Sequence, residues 1–222
     1  MKTRPSFAAL AAPALLAPLL AHAQLTDEDM CRNGAFPSQP EFRTATVGKN
    51  AQPRLYFMKD DEGCPQKGGD QCRAGGYVVP GDELLLGKTH GKWTCAWFNG
   101  KKHETVGWVD NTALAEQPQP TEADWAGKWT FYNVPGYLGI VRKGGGYYIH
   151  ARMIHPTPAS ENLGSMKGNL KVEGSRAIYS EGPQEYQCTA NLVRAGRFLI
   201  VRDNEACGGV GVRFNGVYTR AR

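Results

Sequence analysis

Residues 91–110 read GKWTCAWFNGKKHETVGWVD. Lys92–Phe98 and Thr105–Val109 are short runs rich in Trp, Thr and Val, and Asn99-Gly100 between them is a hairpin dipeptide. Strand periodicity sorts the first run: Thr94, Ala96 and Phe98 share one face, while Trp93, Cys95 and Trp97 share the other. A hairpin of this kind makes the surrounding fold a β fold.

The same reading extends upstream. Arg43–Val47, Arg54–Met58, Tyr77–Val79 and Glu83–Lys88 are further candidate strands, and Pro80-Gly81 marks a turn before Asp82. Helical periodicity is poor and glycine is abundant, at 27 residues. Downstream, Ala115-Glu-Gln-Pro-Gln-Pro-Thr-Glu-Ala123 reads as an extended joint. The chain is therefore expected to divide into a domain at 42–115, a linker at 116–123 and a second domain at 124–222.

The N-terminus reads MKTRPSFAALAAPALLAPLLAHAQ. Lys2 and Arg4 precede an Ala/Leu-rich run, and Ala21-His22-Ala23 supplies a signal-peptidase pattern, so residues 1–23 are expected to be a secretory signal. Pro13 and Pro18 interrupt the run, which argues against a membrane span. No cysteine directly follows the cleavage site, where Gln24 stands, which argues against a lipid anchor. Residues 24–41 are left as an N-terminal segment. The mature chain would carry 24 basic and 21 acidic side chains, too mild an excess for a nucleic-acid patch. That excess sits in residues 120–222, with 13 bases against 8 acids, a balance that would not repel anionic wall polymers.

All six cysteines (Cys31, Cys64, Cys72, Cys95, Cys188 and Cys207) lie beyond the signal. An even count in an exported chain points to disulfides in an oxidising space, periplasmic or extracellular. Neither zinc-type spacing nor a CxxC pair is present. The stretch GCPQKGGDQC at 63–72 has almost nothing to bury, so a Cys64–Cys72 staple is expected to hold its shape, contributing about 2–3 kcal/mol. The four cysteines of the first domain allow three connectivities.

Tyr77-Val-Val-Pro-Gly-Asp82, Gly91-Lys-Trp-Thr-Cys-Ala-Trp97, Gly107-Trp108-Val109 and Leu114 together resemble the bacterial SH3-like (SH3b) family, over residues 42–115. The chain departs from that pattern in the Cys64–Cys72 insert, which falls at the family's long variable loop. The resemblance implies a small barrel whose core takes Ala96 and Val109, leaving Trp93, Cys95, Trp97 and Trp108 outward. Outward tryptophans require a cover. One cover is the segment Cys31-Arg-Asn-Gly-Ala-Phe36, laid across by a Cys31–Cys95 bond. The other is a ligand, a peptide or glycan held on aromatic platforms. SH3b domains recognise peptidoglycan peptides, which makes Tyr77, Trp93, Trp97 and Trp108 the expected ligand residues.

In the second domain, apparent strands recur from Leu138 to Arg220, and about eight strands in about 100 residues suggest an antiparallel barrel or sandwich. Gly127-Lys-Trp129 with a late Arg220 resembles the lipocalin-type closure, in which an arginine packs over a tryptophan. Cys188 and Cys207 suit a staple near the end of a hairpin turning at Arg194-Ala-Gly196. Asp203, Asn204 and Glu205 lack the ligand alternation of a calcium loop, His150 and His155 are poorly spaced for a metal, and no motif of nucleophilic catalysis occurs.

The expectation is an exported, all-β, non-catalytic binding protein without cofactor, metal or membrane anchor, whose partner is peptidoglycan or a periplasmic protein. The rival reading is an inhibitor or immunity protein that blocks a wall-degrading enzyme with the stapled loop, Lys67 and Asp70 at its tip. A small-ligand carrier is the weaker alternative.

Overall fold

The computed structural model describes residues 30–49, 51–100, 103–118, 124–131 and 135–221. The signal segment 1–23 and residues 119–123 of the proline-rich joint lie outside the described residues. Among those described there is no α-helix; the protein is all-β.

The N-terminal part is a seven-stranded antiparallel sheet: β1 (Arg43–Val47), β2 (Leu55–Met58), β3 (Arg73–Val78), β4 (Glu83–His90), β5 (Trp93–Asn99), β6 (Glu104–Asp110) and β7 (Leu114–Glu116). The spatial order is β3-β2-β6-β5-β4-β1-β7. The β5–β6 hairpin forms as the sequence indicates, with Cys95 opposite Trp108 and Ala96 opposite Gly107. Its connection is longer than a two-residue turn, since β5 ends at Asn99 and β6 begins at Glu104. β7 also reaches Glu116, one residue into the expected linker, and pairs with β1.

The second part is a closed antiparallel barrel of eight strands: β8 (Gly127–Phe131), β9 (Gly136–Lys143), β10 (Gly146–Pro156), β11 (Glu161–Glu173), β12 (Arg176–Glu181), β13 (Cys188–Ala195), β14 (Phe198–Asp203) and β15 (Gly216–Arg220). β15 pairs with β8 to shut it, placing Arg220 opposite Trp129. The Arg220 guanidinium lies 5.2 Å from the Trp129 ring, and that of Arg194 lies closer, at 4.3 Å. Burial first, then the Arg220 charge, push Arg194 down to about 10, which leaves it cationic at neutral pH. Side chains such as Trp125, Trp129, Tyr179, Phe214 and Tyr218 fill the barrel's interior. A wide ligand chamber is thereby closed off.

One seam needs a side chain to complete it. β11 pairs with β12 only over Lys171–Glu173. Farther along, the Tyr179 hydroxyl accepts from the Lys167 amide at 2.8 Å and donates to the Glu181 carboxylate. Burial, then the bond to Glu181, hold the Tyr179 hydroxyl well above its ordinary range. Gly168 leaves the room: a Cβ there would stand 3.2 Å from the ring.

Three disulfides form, Cys31–Cys95, Cys64–Cys72 and Cys188–Cys207, and no cysteine is free. They point to an oxidising, extracytoplasmic compartment. The acidic loop after β14 is built from its own backbone. Asp203 accepts from Phe214 N at 2.8 Å and from Glu205 N at 3.1 Å, while Asn204 accepts from Thr189 N at 3.1 Å. Burial pushes the Asp203 carboxyl up, opposed by those two amides.

The spans closed by the first two bonds differ, with sequence separations of 64 and 8. Chain entropy then assigns about 4 kcal/mol to Cys31–Cys95 and about 2.5 kcal/mol to Cys64–Cys72. Urea titration of the paired Cys→Ala variants is expected to show the larger loss for Cys31 with Cys95. Replacing Asp203 by Ala strands a buried amide and is expected to cost about 1–3 kcal/mol in the same assay.

Candidate functional site

Strand parity places the aromatic side chains as the sequence indicates, but what covers them is larger than the N-terminal segment. Ala96 and Val109 join Ala45, Phe57, Leu84 and Leu86 in the core of the first sheet. Trp93, Cys95, Trp97 and Trp108 point the other way, into a second cluster with Leu85, Cys31 and Phe36. Ala195, Phe198, Ile200 and Val217 of the barrel complete that cluster. The tryptophan face is therefore a contact between the two sheets, and the segment around Phe36 is wedged into its side.

The geometry is that of a packed interior. Trp97 meets Phe198 edge to face, with ring centroids 5.6 Å apart and planes at 78°, an arrangement favoured by the ring quadrupoles. Trp97 Nε1 donates to Glu104 at 2.8 Å, which satisfies the buried indole. At the rim, Arg197 of the barrel pairs with Glu83 of β4 at 2.5 Å. Cys31 is fixed twice, by its disulfide to Cys95 and by its amide bonded to Asp60 at 2.6 Å. Arg32 adds an ion pair to the same carboxylate at 2.6 Å, and this bond with its charge raises Arg32.

Trp93, Trp97 and Trp108 retain only 8%, 3% and 5% of their exposure, so they form no open platform for a ligand. Their expected grouping with Tyr77 does not arise, because Tyr77 stands apart and is 44% exposed. A notch of about 200 Å³ remains where Phe36, Trp97 and Glu104 meet Phe131 and Arg213.

Tyr77 belongs to a different constellation. It lies opposite Tyr56 across β2 and β3, with ring centroids 5.8 Å apart. The guanidinium of Arg73 sits 3.9 Å above the Tyr56 ring, and that of Arg54 sits 4.6 Å above Tyr77. The four side chains form one ladder in which two cations bracket two rings, each guanidinium held by a ring face. Both arginines are exposed, and β3 is an edge strand. Beside the ladder runs the stapled loop. Lys67 N donates to Gly63 O and Gly68 N to Pro65 O, both at 3.0 Å, and Gln71 Nε2 donates to Gly68 O at 2.7 Å. Lys67 and Asp70 are exposed on it, and Asp70 pairs with Arg73 at 2.9 Å, joining loop to ladder.

Tyr56, Arg54 and Arg73 did not stand out in sequence, though alternation along Arg54–Met58 already sets Arg54, Tyr56 and Met58 on one face. Among the described residues no three His, Cys, Asp or Glu side chains converge as metal ligands. Compared with family models, curated proteins and solved structures, the chain matches none.

Truncating the inter-sheet contact tests its weight. Phe198→Ala is expected to cost about 3–5 kcal/mol and to split one calorimetric unfolding transition into two. The tryptophan emission should shift to the red as Trp97 meets water.

Proposed function

We propose that this is an exported, non-catalytic binding protein of the cell envelope, whose SH3-like N-terminal domain recognises peptidoglycan stem peptide or a wall-associated partner. The observation that carries the reading is the exposed Arg54–Tyr77–Tyr56–Arg73 ladder beside a covalently closed loop. Stem peptides carry free carboxylates, and two guanidiniums held on ring faces are suited to accept them in bidentate fashion. The rings give flat apolar contact between the charges. Because the ladder and the disulfide order the surface before binding, little side-chain freedom is left to lose. With the three tryptophans buried, the ladder takes the place of the tryptophan groove as the binding surface.

The exposure of Lys67 and Asp70 on the stapled loop favours a second reading, inhibition of a wall-degrading enzyme by insertion of that loop. A rigid projecting loop fits a concave active site for the same reason of pre-order. The barrel contributes to neither reading as a carrier, given its filled interior.

Co-sedimentation of the oxidised protein with intact sacculi separates the two. Pelleting that withstands moderate salt and falls roughly tenfold in Tyr77→Ala with Arg73→Ala is expected for the first reading. No pelleting, with loss of enzyme inhibition when residues 65–71 are replaced by Gly-Ser, would establish the second.

A further inference from the structure

We propose that the outer face of β8–β11 on the barrel is a second binding site, for a linear anionic glycan bearing carboxylate or sulfate groups. Along these strands one set of positions faces out while the alternate set (Trp129, Leu138, Ile140, Ile149, Met166 and Leu170) fills the core. The outward set holds Lys128, Lys143, Arg152, Lys167 and Lys171, all exposed. None of the five is in an ion pair among the described residues. The nearest acids of that parity, Glu161 and Glu173, stand at the two ends of β11. Asp124, three residues before β8, is engaged by Arg220 at 3.2 Å and Arg142 at 3.7 Å. A face of one sign with no internal partner attracts and orients a polyanion.

Its rings distinguish it from a bare basic patch. Tyr137, 53% exposed, packs against His150 with ring centroids 5.8 Å apart. The imidazole covers Gly139, where a Cβ would stand 2.2 Å from His150 Nε2. Lys143 Nζ sits 4.5 Å from the Tyr148 ring centre. The register sets His150 between Gly139 and Lys167, and Tyr148 between Val141 and Asn169. The register thus sets His150 beside Lys167 and Tyr137 beside Arg152 across neighbouring strands. Sugar rings present apolar C–H faces to such platforms while their acidic groups reach the lysines. Lys167 and Lys171 are about 13 Å apart along β11, so a chain of several sugars is needed to bridge them. Rings flanked by cations suit a polysaccharide better than a bilayer, which favours protruding apolar wedges. The oxidising compartment disfavours nucleic acid.

Titration calorimetry of the oxidised full chain with heparin and with polygalacturonate tests the assignment. Binding that weakens with salt is expected, with a loss of roughly tenfold or more in Lys143→Glu with Lys167→Glu. Tyr137→Ala with Tyr148→Ala should weaken glycan binding several-fold at unchanged net charge. Lys49→Glu with Lys92→Glu, on the other sheet, repeats the charge change and should bind as wild type does. Thermal melts matching wild type would exclude unfolding as the cause. Binding to neither glycan, binding only to phosphatidylglycerol vesicles or duplex DNA, equal losses in both charge variants, or tyrosine variants as tight as wild type would overturn it.

Discussion

The contact of Trp97 with Phe198 sits at the centre of a constraint that governs both halves of the protein. Each sheet has strands buried on both sides. In β4, Leu84 and Leu86 enter the first sheet's core while Leu85 enters the shared cluster. In β14, Leu199 and Val201 fill the barrel while Phe198 and Ile200 enter the shared cluster. A strand with no wet face cannot be stable alone in water. Separating the halves would open the cluster that holds Trp93, Trp97, Trp108, Phe198 and Ile200, and burying a large apolar side chain contributes about 1.5–3 kcal/mol. The cluster therefore holds the two sheets in one orientation, with the Arg197–Glu83 pair at its rim setting register more than adding strength.

Much of the local structure was legible in the residues. Alternation sorted β5 correctly, Thr94 and Ala96 to one side and Trp93, Cys95 and Trp97 to the other, because a pleated strand leaves no choice. The Gly127–Trp129 and Arg220 positions meet at the barrel's seam as that pattern implies. What covered the tryptophans was harder to see, since parity gives a direction but names no neighbour. The runs Leu84-Leu85-Leu86 and Phe198-Leu199-Ile200-Val201 held the missing signal. Unbroken apolar residues in antiparallel strands mean burial on both faces, and each half carries such a run. The Tyr56–Tyr77 ladder is not legible in sequence because it depends on cross-strand register, which is set by the β2–β3 pairing across the irregularity between Tyr56 and Met58.

The two proposed binding surfaces use the same means in different geometries. On β2–β3 a pair of arginines brackets two tyrosines at a sheet edge, a compact arrangement suited to a short peptide. On β8–β11 lysines and rings are spread over four strands, suited to a long chain. In both places cations rest against ring faces, Arg54 and Arg73 at the sheet edge and Lys143 on the barrel. Because the central cluster fixes the sheets relative to each other, a partner spanning both surfaces would meet them at constant spacing, the condition under which two weak contacts multiply.

The Cys31–Cys95 bond encloses the Cys64–Cys72 bond. For a chain that enters its oxidising compartment N-terminus first, Cys31 emerges long before its partner, and Cys64 is the first thiol it meets. A catalyst that joins cysteines in order of arrival would couple Cys31 to Cys64 and leave Phe36 unable to reach its place beside Trp97. Correct maturation then depends on thiol–disulfide exchange that undoes the early link, or on oxidation delayed until β5 has crossed. The nested bonds thus tie assembly of the domain contact to the redox machinery of the compartment, and a host lacking disulfide isomerisation should yield a protein in which that contact fails to assemble.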